Sequence, residues 1–166
     1  MDRRFRNQRA FTLPEVLAAS VVIALAVAAI TQVIVAGQMQ AYDGVRGMRA
    51  ADLGESLLDE ILALPYDDPD GASNPGPEAG ETNRTLFDNA DDFHGYTEAA
   101  GNLGDFTGTL YEPEFQTFSR AVTASYGSQT VTGFTNPIDG LTVTVVIEDD
   151  RGTMWVISRF IPEPVE

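Results

Sequence analysis

The chain contains no cysteine and no lysine, one histidine and one tryptophan. Without cysteine no disulfide can form, and a single histidine leaves no Cys/His set to hold zinc. Without lysine there is no G-x-x-x-x-G-K-[ST] phosphate loop. His94 is the only imidazole, and no G-x-S-x-G elbow accompanies it, so a Ser–His–Asp hydrolase lacks its parts. Positive charge is scarce as well: 10 arginines stand against 25 acids, for a net charge of −15. Nucleic-acid binding rests on neutralising phosphates with Lys and Arg, so this balance argues against a nucleic-acid partner. The carboxylates crowd into loops, whereas a glycosidase needs two facing across a cleft. The expectation is a non-enzyme with no cofactor.

What is present in quantity is an apolar run. From Val16 to Ala36 there are 21 residues without a charge, and only Ser20, Thr31 and Gln32 are polar. At ~1.5 Å per residue such a helix is ~30 Å long, the hydrocarbon thickness of a bilayer. Arg3, Arg4, Arg6 and Arg9 crowd the segment before it. The positive-inside bias then holds the N-terminus in the cytoplasm and exports the residues beyond the span. Glu15 sits at the head of the run, and an ionisable group there calls for a functional partner. Cleavage after Ala10 would create an ammonium on Phe11, four residues from Glu15. Opposite unit charges ~4 Å apart attract by roughly 1 kcal/mol in water and more beside a low-dielectric surface. Two simpler readings compete. A secretory signal peptide could be cut at Ala26-Val27-Ala28, but its apolar core is usually only ~7–15 residues. A plain single-pass anchor explains the span and leaves the Phe11–Glu15 head unexplained.

The basic leader, a small residue, then Phe11-Thr12-Leu13-Pro14-Glu15 and the apolar run resemble the processing signal of type IV prepilins and type II secretion pseudopilins. The resemblance implies that a prepilin peptidase cuts between Ala10 and Phe11 and methylates the new amine. Thr12, Leu13 and Pro14 would complete the recognised motif, and Glu15 would pair with the Phe11 amine of a neighbouring subunit. Ala10 departs from the family's usual glycine, which puts the efficiency of cleavage in question. The implied fold is α+β and pilin-like, a long N-terminal helix packed on a C-terminal antiparallel sheet. The implied partners are prepilin peptidase, other pilin subunits in a filament and a cytoplasmic-membrane assembly platform. The chain would first sit in the cytoplasmic (inner) membrane as a single pass, then in a periplasmic or surface filament. Loss of the leader would leave 24 acids against six arginines.

The expected layout is a cleaved leader (1–10), a transmembrane and assembly helix (11–36), an amphipathic continuation (37–64), an irregular acidic loop (65–114) and an antiparallel sheet (115–166). Val45, Met48, Ala51, Leu57, Leu58, Ile61, Leu62 and Leu64 recur at three- and four-residue intervals and predict the amphipathic half. Pro14 fits the first turn of the helix and Pro65 its end. Gly37, Gly44, Gly47 and Gly54 interrupt it at ~0.8–1 kcal/mol each relative to alanine. They mark either close helix approach in a bundle or tolerated softness. Asp67, Asp68 and Asp70 fail the EF-hand spacing and read as solvated charge.

Phe87, Phe93 and Tyr96 are expected to anchor the loop, with Asp88, Asn89 and Asp91 making local turn bonds. Asp88, Asp91 and Asp92 are weak Ca²⁺ candidates in a chain otherwise expected to hold no metal. The stretch is similar to one in accessory pilins of the mannose-sensitive haemagglutinin pilus type. Strands are predicted over 115–125, 129–134, 141–148 and 153–161. The second would follow a Tyr126-Gly127-Ser128 turn, and Asp149-Asp150-Arg151-Gly152 would close the last hairpin. The functional reading is an accessory pilus subunit, with a secretion pseudopilin and a membrane-tethered ligand-binding module as alternatives.

Overall fold

The computed structural model describes residues 11–69, 71 and 74–164. The leader with its arginines and Ala10, and Asp70 of the acidic loop, lie outside the described residues. The chain divides into two compact units, with the boundary between Val45 and Arg46. A 50-residue helix, α1 (Leu13–Leu62), begins in the first and ends in the second.

Within the first unit the described residues are helix from Leu13 onward, and all of them are exposed. The most apolar stretch has a mean hydropathy of 2.5, and none of it is buried. Ser20 Oγ donates to the Leu17 carbonyl at 2.8 Å, and Thr31 Oγ1 donates to the Val27 carbonyl at 2.9 Å. Two of the three polar side chains in the apolar run are therefore satisfied by their own helix, as a span in lipid requires.

The second unit is α+β. Its strands β1 (Thr97–Glu98), β2 (Phe118–Gln129), β3 (Ile138–Asp149) and β4 (Met154–Pro162) form one antiparallel meander in the order β1-β2-β3-β4. Period-two alternation places Leu141, Val143, Val145 and Ile147 on one face of β3, each 0% exposed. Phe118, Val122 and Ala124 of β2 join them. The end of α1 covers this face with Ala50, Leu53, Leu57, Leu58 and Ile61. Gly54 lets the helix approach the sheet: a Cβ there would stand 2.6 Å from Ile157 Cδ1 and 2.8 Å from Ile147 Cδ1.

Three expectations need correction. The buried stripe of α1 is rotated from the predicted one. Val45, Met48, Ala51 and Leu62 are exposed, while Arg46, Ala50, Leu53 and Gly54 are buried. Arg46 turns inward because an acid of β3 waits for it there. No turn occurs at Tyr126-Gly127-Ser128, and 129–134 is not a separate strand. Instead β2 runs on to Gln129, each residue paired with β3, Gly127 opposite Gly140. The turn signal loses to twelve residues of continuous ladder, and the connection falls later, around Gly133. Finally, the 65–114 region is only partly irregular. It supplies β1, a short 3₁₀ turn at Asp91–Phe93 and the core residues Ala90, Phe93 and Leu103. The last hairpin is where the sequence places it, with Gly152 at φ +77° and its N–H donating to the Asp149 carbonyl at 3.0 Å.

Candidate functional site: the N-terminal assembly segment and the polar frame of the second unit

Phe11 and Thr12 precede the first turn of α1. Thr12 occupies the N-cap position, and its carbonyl accepts from the N–H groups of Glu15 and Val16 at 3.0 and 3.1 Å. Glu15, three residues on, reaches back, and its Oε2 accepts the Thr12 N–H at 3.4 Å. This is the returning half of a capping box, and it places an anionic side chain at the positive end of the helix dipole. Pro14 lies in the first turn, where no helical N–H partner is lost. Phe11 is 77% exposed and Leu13 75%. The structure thus gathers Phe11, Thr12, Leu13, Pro14 and Glu15 at one helix end, followed by apolar side chains that no described residue of the subunit covers.

A family model described as the prokaryotic N-terminal methylation motif matches residues 5–31. The chain carries the type IV prepilin and pseudopilin signature. No curated protein and no solved structure matches. The motif supports a processed subunit of pilin or pseudopilin type. It implies processing by prepilin peptidase and assembly with other pilin subunits. Joined to the apolar helix, it suggests membrane anchoring.

The second unit is framed by three buried or half-buried arginines, Arg46, Arg84 and Arg120. Arg46 of α1 pairs with Asp149 at the end of β3, Nε donating to Oδ2 at 2.9 Å, and also with Asp150. Its guanidinium lies over the Phe118 ring, 5.4 Å from the centroid. Arg84 donates to both oxygens of Glu60 at 2.9 and 2.8 Å and to Glu98 at 2.9 Å, so the loop is tied to helix and sheet together. Burial pushes the Glu60 carboxyl above its ordinary range, against the opposing pull of Arg84. Arg120 of β2 is 2% exposed; it pairs with Glu98 and donates to the carbonyls of Leu53 at 3.0 Å and Gly104 at 3.1 Å. A signal for Arg120 does exist in the sequence: it stands at an inward position of the alternation Phe118, Arg120, Val122, Ala124. A charge on an apolar face must be paired.

The aromatic anchor is as the sequence implies: Phe87, Phe93 and Tyr96 meet edge to face, with Phe87 and Phe93 centroids 4.9 Å apart. Asn89 Oδ1 accepts the N–H groups of Asp91 and Asp92 at 3.0 and 3.1 Å, which fixes the 3₁₀ turn. Asp91 and Asp92 are buried, and Asp88 is exposed. Asp91 Oδ2 accepts the Tyr126 hydroxyl at 2.6 Å, and burial raises the Asp91 carboxyl against that bond. His94 lies beside β2, with Nδ1 2.8 Å from the Ala124 carbonyl. The imidazole is part of the loop's attachment to the sheet.

Proposed function

We propose that this chain is an accessory subunit of a type IV pilus or a related filament. The observation that supports the reading is the methylation motif standing at the head of a helix whose most apolar stretch has no buried residue. Val16 to Val35 must be covered by lipid before assembly and by neighbouring helices after it. On this reading residues 1–10 are a leader removed between Ala10 and Phe11, 11–36 form the assembly helix, and 37–64 continue the spine. Residues 65–114 make the acidic loop together with the edge strand β1, and 115–166 the rest of the sheet of the exported part. The N-terminus starts in the cytoplasm, and the Arg3, Arg4, Arg6 and Arg9 charges set that orientation.

Once cleaved, Phe11 presents an amine within reach of a neighbouring Glu15. In the single subunit Glu15 makes the long Thr12 N–H contact, which leaves the carboxylate acceptor capacity for an incoming ammonium. The irregular loops of the second unit favour an accessory place over the repeating shaft. A pseudopilin of a secretion machine would use the same helix chemistry. The test is intact mass and N-terminal sequencing of the membrane form, with and without prepilin peptidase. The expected product begins at N-methylated Phe11 only when the peptidase is present. A mature chain starting at Met1 or near Ala29 overturns the reading, and filament fractionation separates a fibre subunit from a tethered binding module.

A further inference from the structure

The acidic segment that follows α1 folds back on the 3₁₀ turn at Asp91–Phe93. One carboxylate oxygen from each of Glu78, Glu81 and Asp92 lies within 4.8 Å of the others. Glu78 and Glu81 are half-buried and locally braced, the Glu78 N–H donating to Glu81 Oε2 at 2.9 Å. Asp92 is 0% exposed. Its Oδ2 accepts the N–H groups of Asp88 and Asn89 at 2.9 and 3.1 Å. Its Oδ1 is buried and has no hydrogen-bond partner among the described residues. A buried carboxylate oxygen without a partner carries its full desolvation cost, and two carboxylates beside it add repulsion. Asp68 adds further negative field at Glu78.

We propose that Glu78, Glu81 and Asp92 form a divalent-cation site and that its ion is Ca²⁺. The donors are all carboxylate oxygens, the hard ligands that Ca²⁺ and Mg²⁺ take, and no Cys or His is present to favour zinc or copper. Oxygens held ~2.3–2.6 Å from one Ca²⁺ lie at most ~5 Å apart, so the cluster closes on that ion with little movement. Mg²⁺ needs ~2.0–2.1 Å in a strict octahedron and keeps most of its water. A bound ion supplies a partner to the Asp92 carboxylate, one oxygen of which has none among the described residues. It also fastens the acidic segment to the turn that Asp91 and His94 hold against β2. Three carboxylates, two of them partly open to water, match the weak extracellular class of sites, with Kd ~10⁻⁴–10⁻³ M.

The experiment is titration of the full-length chain in detergent with CaCl₂, followed by isothermal calorimetry and by thermal melting. MgCl₂ and NaCl at matched ionic strength serve as parallel arms. Saturable Ca²⁺ binding is expected, with a rise of several degrees in Tm at millimolar Ca²⁺ and a weaker response to Mg²⁺. The double variant Glu78→Gln/Glu81→Gln should weaken binding at least about tenfold, because two of the three anionic ligands are gone. Both side chains are half-buried at most, so in EDTA the variant should melt no lower than the parent. The site is refuted by no saturable heat up to about 10 mM Ca²⁺, by an equal Tm rise in matched NaCl, or by unchanged affinity in the double variant. Equal affinity for Mg²⁺ overturns the choice of ion. These readouts need no filament, so their failure leaves the assembly reading standing, and failed assembly leaves them standing.

Discussion

Replacing Asp149 should separate two roles that one side chain performs in the second unit. Its Oδ2 takes the buried Arg46 guanidinium, and its Oδ1 accepts the N–H groups of Arg151 and Thr153 at 2.9 and 2.8 Å, which closes the β3–β4 hairpin. Asp149→Asn keeps an acceptor for the turn and removes the charge. Breaking a buried ion pair costs ~3–5 kcal/mol, but Asp150 still faces Arg46, so ~2–3 kcal/mol is expected. For a domain of this size that lowers Tm by about 10 °C. Asp149→Ala also orphans the two turn amides, adding ~1–2 kcal/mol. Asp150→Asn is the control: its side chain is 54% exposed, and an exposed ion-pair partner is worth under ~1 kcal/mol.

The assay is thermal melting followed by the fluorescence of Trp155, the only tryptophan, whose ring centroid lies 6.1 Å from that of Phe118. Equal shifts for Asp149→Asn and Asp150→Asn would refute the idea that Arg46 is held through the buried partner. The pH dependence adds a second reading of the same contact. Burial alone would raise the Asp149 carboxyl, but the Thr153 and Arg151 N–H groups and Arg46 outweigh it and hold it below its ordinary 3.8. A depressed carboxylate contributes stability above its unfolded pKa and loses it as pH falls through the folded one. The parent should therefore lose this contribution below about pH 4, and Asp149→Asn should show a shallower acid slope.

Glu15→Val should leave membrane insertion intact and block or distort assembly, read by fractionating cells into membrane and sheared filaments; normal incorporation of the variant refutes the Glu15–amine pairing. Ala10→Gly should speed cleavage, measured as the precursor-to-mature ratio in a pulse-chase, and an unchanged ratio would mean that the alanine imposes no handicap. Gly54→Val should destabilise the second unit by ~1–3 kcal/mol, because Ile147 and Ile157 already occupy the space, and an unshifted melt would contradict the close approach. Gly44→Ala meets nothing within 4 Å in the subunit and should gain ~1 kcal/mol of helix stability. If that variant is more helical yet assembles poorly, the glycine serves contact between subunits; normal assembly marks it as tolerated softness.

The sequence by itself determined the apolar run, the arginines before it and the Phe11–Glu15 head, because such patterns lie within a few helical turns of one another. It also determined the inward face of β3 and the hairpin at Asp149–Gly152, since alternation and turn chemistry are local. Only the tertiary structure decided which stripe of α1 is buried. Arg46 looks like a surface residue until Asp149, 103 positions away, comes to lie beside it. Likewise Gly127 reads as a turn residue until Gly140 stands opposite it in the ladder. Tertiary structure also set Asp92 beside Glu78 and Glu81, a grouping that differs from the Asp88, Asp91 and Asp92 carboxylates that the sequence offers as Ca²⁺ candidates. The physical reason is the same in each case: the free energy of burying a charge, or of extending a ladder, depends on a partner whose position the chain path fixes. No window of neighbouring residues contains that partner.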